Sequence, residues 1–259
     1  MIDFYKDLRL TWLADRVHHK QEASVLKWAD EIVTISPSCA DDLQKLAGRK
    51  ITVINNGFDE QDFEGEAPLP DRQFSIVHIG SMNKDRNPKL LWQILGEMVK
   101  EDENFKQALL IELVGIVDGS IISAIEAQGL KEHLVVTGQQ EHKAVIERMR
   151  KAQLLLLPIN DIPQQKGVMP GKMYEYIGAG RPILAFGRPD SDTAKLLKET
   201  AAGTLLAYDD ANGLKSMLLM SFNKFQGGEL QISSSGFSEY SRKNLALKYS
   251  QLIKSMTIK

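Results

Sequence analysis

Cysteine is almost missing from these 259 residues: Cys39 stands alone, which excludes an internal disulfide and a four-cysteine zinc site and fits a reducing cytosol. Net charge is almost missing too. Thirty-two basic residues against 34 acidic ones leave −2, so nothing draws the chain to nucleic acid or anionic lipid in general, and any basic site has to be local. Long apolar runs are absent, the longest (such as 154–157) falling far short of the roughly 20 residues that cross a bilayer. Met1-Ile2-Asp3 opens a charged segment and not a basic-then-apolar one, so no signal peptide is visible. Gly80 and Gly115 end apolar runs, but neither belongs to a GxGxxG fingerprint, which argues against a nicotinamide dinucleotide fold. No carboxylate and histidine cluster has metal-ligand spacing, and no metal site is expected.

What is present is ordinary globular composition, with 43% hydrophobic and 25% charged residues, enough for one large or two small domains. From Phe74 onward apolar runs at 74–79, 109–114, 134–137, 154–157, 183–186 and 204–206 alternate with helical stretches near 87–100, 119–128, 141–152, 171–179, 192–200 and 211–225. Strands this apolar are covered on both faces, so the spacing predicts an α/β fold: a doubly wound, Rossmann-like parallel sheet. Ligands of such sheets sit beyond the carboxyl ends of the strands, here the loops 80–88, 115–119, 138–141, 158–171 and 187–192. Residues 226–236 are rich in glycine and serine, and 237–256 read as a final amphipathic helix.

The first part is sparser. Residues 3–30 carry an apolar stripe on one or two helices, 31–35 and 51–54 read as short strands, and Ser36 caps a helix over 39–46 that ends at Gly48. The tryptophans, Trp12, Trp28 and Trp92, fall on helical apolar positions and are expected in the core. Residues 55–71 begin with Asn55-Asn56-Gly57 and continue acidic and proline-containing, which reads as a linker. The division expected is therefore 1–54 as a partial first domain, 55–71 as linker, 72–236 as the Rossmann-like domain and 237–259 as a returning helix. Two strands are too few to close a sheet by themselves.

The candidate site is the stretch 167–183, GVMPGKMYEYIGAGRPI. Pro170 and Gly171 break the chain before a short helix that Gly178 and Gly180 close, so a helix start is aimed by a tight turn. Its first amides have no intrahelical partner, and the dipole adds about half a positive charge, which suits a diphosphate. Lys172 opposes that dipole unless a phosphate lies between, and Glu175 one turn further could accept from a ribose diol. The same spacing also suits a plain αβ turn with an exposed lysine and glutamate. His78, two residues before Gly80, admits two readings as well: a group facing a ligand or a satisfied buried histidine, the second being the safer.

Several motifs occur together in one order: Ala29-Asp30-Glu31-Ile32-Val33-Thr34-Ile35-Ser36, then Val53-Ile54-Asn55-Asn56-Gly57-Phe58-Asp59 with Phe63, then Ile79-Gly80-Ser81 with Arg86-Asn87-Pro88, and finally Pro170-Gly171-Lys172-Met173-Tyr174-Glu175-Tyr176 with Gly180-Arg181-Pro182-Ile183. This set resembles the carboxyl-terminal, donor-binding half of a GT-B glycosyltransferase of the family-four (group 1) kind. The resemblance implies two Rossmann-like domains facing across a cleft, the second holding a nucleotide-diphosphate sugar as substrate with no cofactor and no metal. Catalysis would rest on Glu175, Lys172 and Arg86, and donor binding on Gly80, Ser81, Arg86, Thr137, Gly138, Pro170, Gly171, Lys172, Met173 and Glu175. By residue type alone Thr137-Gly138 is a turn, and at Ser81 many members carry a second cation.

Two departures follow from the same resemblance. Members often carry a pair of glutamates eight positions apart; Glu175 matches the second, but Gly167 stands where the first would be. Most of the first domain has no counterpart before Ala29, so the chain is expected to be a fragment that transfers no sugar alone. The implied reaction is glycosyl transfer to a hydroxyl of a glycan or lipid-linked acceptor, with retention, in cell-surface polysaccharide synthesis. Implied too are a cytoplasmic place, peripheral association of the whole enzyme with the inner membrane face, and no nucleic-acid partner. A nucleotide-sugar epimerase of the same architecture and a non-catalytic Rossmann scaffold are the alternatives.

Overall fold

The computed structural model describes residues 10–160, 165–230 and 237–257. Residues 3–9 of the expected first helix, 161–164 of the expected ligand loop, 231–236 of the glycine- and serine-rich stretch, and 258–259 lie outside the described residues.

A first unit consists of α1 (Trp12–Trp28), β1 (Val33–Thr34), α2 (Pro37–Ala47) and β2 (Thr52–Val53), with β1 and β2 forming a parallel two-stranded sheet. The strands expected over 31–35 and 51–54 shrink to two residues each. Helix α2 follows its sequence signals: Ser36 caps its start by accepting from the Cys39 amide at 3.3 Å, Pro37 occupies the first turn, and Gly48 closes it at φ 64°.

The second unit is a six-stranded parallel sheet of β3 (Phe74–Ile79), β4 (Leu109–Val114), β5 (Leu134–Thr137), β6 (Leu154–Pro158), β7 (Ile183–Phe186) and β8 (Gly203–Leu206). Its helices are α3 (Lys89–Glu101), α4 (Glu103–Ala108), α5 (Gly119–Glu126), α6 (His142–Lys151), α7 (Gly171–Gly178), α8 (Asp192–Glu199), α9 (Ala211–Gln226) and α10 (Arg242–Thr257). Helix α4 was not foreseen; Asp102 ends α3 and caps α4 by accepting from the amides of Asn104 and Phe105, a double role no periodicity reveals.

Strand order is β5-β4-β3-β6-β7-β8, so the chain winds outward from β3 in one direction and then returns to lay β6 on its other side. The loops after β3 and β6 thus leave in opposite directions, and a crevice opens between them. Every residue of β3, β6 and β7 is buried, in two core layers. One layer packs Phe74, Ile76, Trp92 and Phe105 with residues of α3, α5 and α9; the other packs Val77, Ile79, Met149, Tyr174, Tyr176 and Leu197 with residues of α6, α7 and α8.

One expectation changes. Trp92 is fully buried, but Trp12 and Trp28 are 69% and 74% exposed. The stripe on α1 announces a helix face without saying what covers it, and the two rings lie under Arg16 and Lys27 at 4.6 and 5.0 Å instead. Residues 55–71, expected as a linker, include the buried Phe58, whose amide donates to the Tyr240 carbonyl at 3.1 Å while the Arg242 amide donates back to the Phe58 carbonyl at 2.9 Å. Phe58 meets Phe63 edge to face at 5.7 Å, and both rings abut Gly178 at the end of α7.

Candidate functional site

The crevice between the loops after β3 and β6 has a volume of about 390 Å³. Its floor is the ends of those two strands, and its walls are Gly80, Ser81 and Arg86 on one side and Asn160, Val168, Pro170 and Lys172 on the other. Gly80 turns the chain out of β3 at φ 126°, and it must come close to its neighbour, because a Cβ on Gly115 would stand 2.6 Å from the Gly80 carbonyl oxygen.

Two cations face this space from different elements. Arg86, at the end of a 3₁₀ turn over Lys84–Arg86, is braced by its Nε donating to Asn160 Oδ1 and by an Nη donating to the Ser81 carbonyl at 3.1 Å. That arrangement ties the loop after β3 to the end of β6 across the crevice. Lys172 lies in the first turn of α7, where Pro170 supplies no side-chain cap and the helix start is left to the crevice. Its Nζ donates to Glu175 Oε2 at 2.8 Å. The charge that opposes the dipole is therefore answered by a carboxylate one turn on, and Glu175 turns toward Lys172 and not into the crevice wall.

Of the residues expected at the site, the structure brings together Gly80, Ser81, Arg86, Pro170 and Lys172, with Gly171 exposed at the mouth of α7. Met173 is fully buried in the core layer beneath α7, so only its backbone belongs to the helix start. Thr137 and Gly138 lie at the end of β5, an edge strand two places from β3, and are not among the residues lining the crevice. Asn160 had no motif around it to announce it; only the fold places it opposite Arg86.

His78 lines the floor of the crevice and is only 3% exposed, so each sequence reading holds in part. Its Nδ1 donates to the Leu156 carbonyl at 3.0 Å, but its Nε2 has no hydrogen-bond partner. Burial first, with smaller contributions from Arg86 and Lys172, lowers its pKa to about 4, so the ring is neutral. Tyr176, at the end of the 170–176 motif, is also fully buried: its hydroxyl accepts from the Ile79 amide at 2.9 Å and lies 3.5 Å from the Leu156 carbonyl. Burial raises the pKa of that phenol and keeps it protonated.

Gly167 has a structural explanation. A Cβ there would lie 2.7 Å from Cys39 Sγ and 3.2 Å from both the Cys39 amide nitrogen and Ser36 Oγ, so a side chain, glutamate included, would have to displace the Cys39 side chain to fit between the loop and α2. The start of α2 clamps this loop from behind. Ser36 Oγ donates to the Gly167 carbonyl at 2.9 Å, and Ser38 donates through its amide (2.7 Å) and hydroxyl (3.0 Å) to the buried carboxylate of Asp192. Thr193 next to it donates to the Val168 carbonyl at 2.7 Å. Among the described residues no group of three or more histidine, cysteine or acidic side chains could hold a metal, and no helix is long and apolar enough to cross a membrane.

The same fold recurs in solved glycosyltransferases. A sucrose-phosphate synthase from Thermosynechococcus elongatus superposes with a TM-score of 0.70 at 16% identity, over 100% of this chain and 66% of that one. Anabaena Alr3699/HepE, described in complex with UDP, gives 0.71 at 13% over 96% and 69%. WaaG, described as a glycosyltransferase of lipopolysaccharide biosynthesis, gives 0.64 at 16% over 97% and 68%. The chain thus spans about two thirds of the length of these structures. No curated protein matches the chain. A profile of the family described as glycosyl transferases group 1 matches residues 73–221, more than half of the sequence. By that match the chain belongs to the group 1 glycosyl transferases.

Proposed function

We propose that the crevice holds the diphosphate of a nucleotide sugar, and that the chain is the donor-binding half of an enzyme transferring that sugar to a hydroxyl acceptor. The observation that carries this reading is the convergence of Arg86, Lys172 and the uncapped start of α7 on one crevice at the point where the strand order reverses. In support, a protein of the same fold is described in complex with UDP and with UDP-glucose.

In the proposed step the bond between the anomeric carbon and the diphosphate oxygen breaks, and its electron pair stays on the diphosphate. The acceptor hydroxyl oxygen bonds the anomeric carbon with retention, and its proton passes to the departing diphosphate. Negative charge grows where two fixed cations and the helix dipole already point, and stabilisation that grows with the charge accelerates the reaction. Lys172 would exchange Glu175 for phosphate oxygen, releasing that carboxylate toward the ribose diol. The acceptor, a glycan or lipid-linked sugar of the cell surface, would be held by the part of the fold that this chain does not cover.

Calorimetry with UDP, GDP and their sugar esters tests the assignment. Binding in the micromolar range is expected, with Arg86→Ala and Lys172→Ala each weakening it about tenfold, or about 1.4 kcal/mol. Binding that ignores both substitutions removes the site from this crevice.

A further inference from the structure

The sheet is interrupted at the floor of the crevice. Val77 is paired with Leu155, and in a parallel ladder of that register the next amide of β3 to face β6, that of Ile79, bonds the Leu156 carbonyl. The other strand pairs keep the rule up to their ends, as in Gly80 to Val114 (2.8 Å) and Ile159 to Phe186 (2.9 Å). Between β3 and β6 that bond is replaced. The Ile79 amide donates to the Tyr176 hydroxyl at 2.9 Å, and that oxygen lies 3.5 Å from the Leu156 carbonyl. Pairing of the two strands ends at Val77 and Leu155.

Two side chains fill the gap from opposite faces of the sheet. Tyr176 enters from the layer that holds Val77 and Ile79; strand alternation puts His78 on the other layer, with Ile76. From there its Nδ1 takes the Leu156 carbonyl that the ladder gave up. A ladder bond would satisfy Ile79 and Leu156 without help, and an apolar residue at 78 would leave no buried Nε2 without a partner. The residues just past the gap, Ile79, Gly80, Leu157 and Pro158, are the crevice floor.

We infer that Tyr176 and His78 are positioning residues that hold β3 and β6 apart and so set the width of the diphosphate crevice from below. This rests on the donor-site reading for its consequence, though not for its geometry. Without the phenol hydroxyl, the Ile79 amide turns to the Leu156 carbonyl, the strands close by one ladder bond, and the crevice narrows.

The test combines a structure of Tyr176→Phe with UDP and GDP affinities of Tyr176→Phe, His78→Leu, His78→Asn and the Tyr176→Phe/His78→Leu pair. The variant structure is expected to show the Ile79 amide bonded to the Leu156 carbonyl; an unchanged gap overturns the inference. Tyr176→Phe and His78→Leu should each weaken nucleotide about tenfold while still melting cooperatively, since each loses the same prop. His78→Asn, which keeps a donor near the Nδ1 position, should restore most of the affinity. Because both residues act through one carbonyl, the pair should lose less than the product of the single losses. A lowered melting temperature with unaltered affinity marks a purely structural role and overturns the inference. Wild-type protein that binds neither nucleotide overturns the donor-site reading instead, and the variant structure still decides the strand gap. If Tyr176→Phe fails to fold, His78→Leu against His78→Asn carries the same decision.

Discussion

The two units of the chain are built from the same kinds of element and differ in what covers them. In the six-stranded unit the interior strands β3, β6 and β7 are buried along their whole length, and large side chains such as Trp92, Phe74 and Phe105 are fully enclosed. In the first unit the two strands are two residues long, and α1 presents Trp12, Leu13, Val25 and Trp28 to solvent. Apolar residues at helical spacing are thus mostly enclosed in one unit, whereas in the other few are, among them Leu26 of α1 and Ala40 of α2. The side-chain hydrogen bonds that join the first unit to the second are polar: Ser36 and Ser38 bonded to Gly167 and Asp192.

The largest contrast is expected from paired truncations. Trp92→Ala should cost about 3–5 kcal/mol in urea unfolding, whereas Trp28→Ala should stay within about 0.5 kcal/mol. Comparable losses would show that α1 is covered after all. Acid should act on the large unit next. The pKa of His78 is lowered from 6.5 to about 4 in the folded state, so between those values the unfolded chain binds the proton more tightly. Its contribution is present in full above pH 6.5 and is lost as pH falls toward 4, amounting to roughly 3 kcal/mol. Denaturation curves at stepped pH should show that slope, and His78→Leu should flatten it.

A smaller effect belongs to the joint between the units. Ser38→Ala removes a hydroxyl hydrogen bond to the buried Asp192 carboxylate, at about 1–2 kcal/mol, and Asp192→Ala should exceed it because the Ser38 amide then loses its acceptor. Limited proteolysis should report this as faster cutting within residues 10–54 while the sheet stays protected. Cutting at equal rates in both units would mean that they unfold together. The smallest effect on stability is expected from Lys172→Ala, because its partly exposed pair with Glu175 contributes no more than about 1 kcal/mol; its influence should appear in nucleotide affinity.

Strand positions were legible because they rest on local signals. Residues 74–79, 109–114, 134–137 and 183–186 form strands over the ranges their apolar runs announce; 74–79 and 183–186 are buried throughout, as strands covered on both faces are, whereas the edge strand 134–137 leaves Val135 and Val136 exposed, against the expectation that its apolar run is covered on both faces. Caps were legible for the same reason, as Ser36 and Gly48 show. Lys172 could be named from its place just after Pro170 and Gly171, and Arg86 from the family resemblance, but their meeting could not be read, because they lie 86 positions apart and only the strand order brings their loops together. Asn160 lies in the expected ligand loop 158–171, but no motif singled it out within that loop. The exposure of Trp12 and Trp28 was illegible because periodicity reports one helix and never its neighbour.

The sequence alone determined the alternation of strand and helix, the parallel sheet and the aimed start of α7, all of which depend on contacts within a few residues. Tertiary structure alone decided that Gly167 lies against Cys39 and Ser36, that the Tyr176 hydroxyl stands where a ladder bond belongs, and that Asn160 faces Arg86. Those outcomes depend on distances between segments far apart along the chain, which packing fixes and local propensity does not.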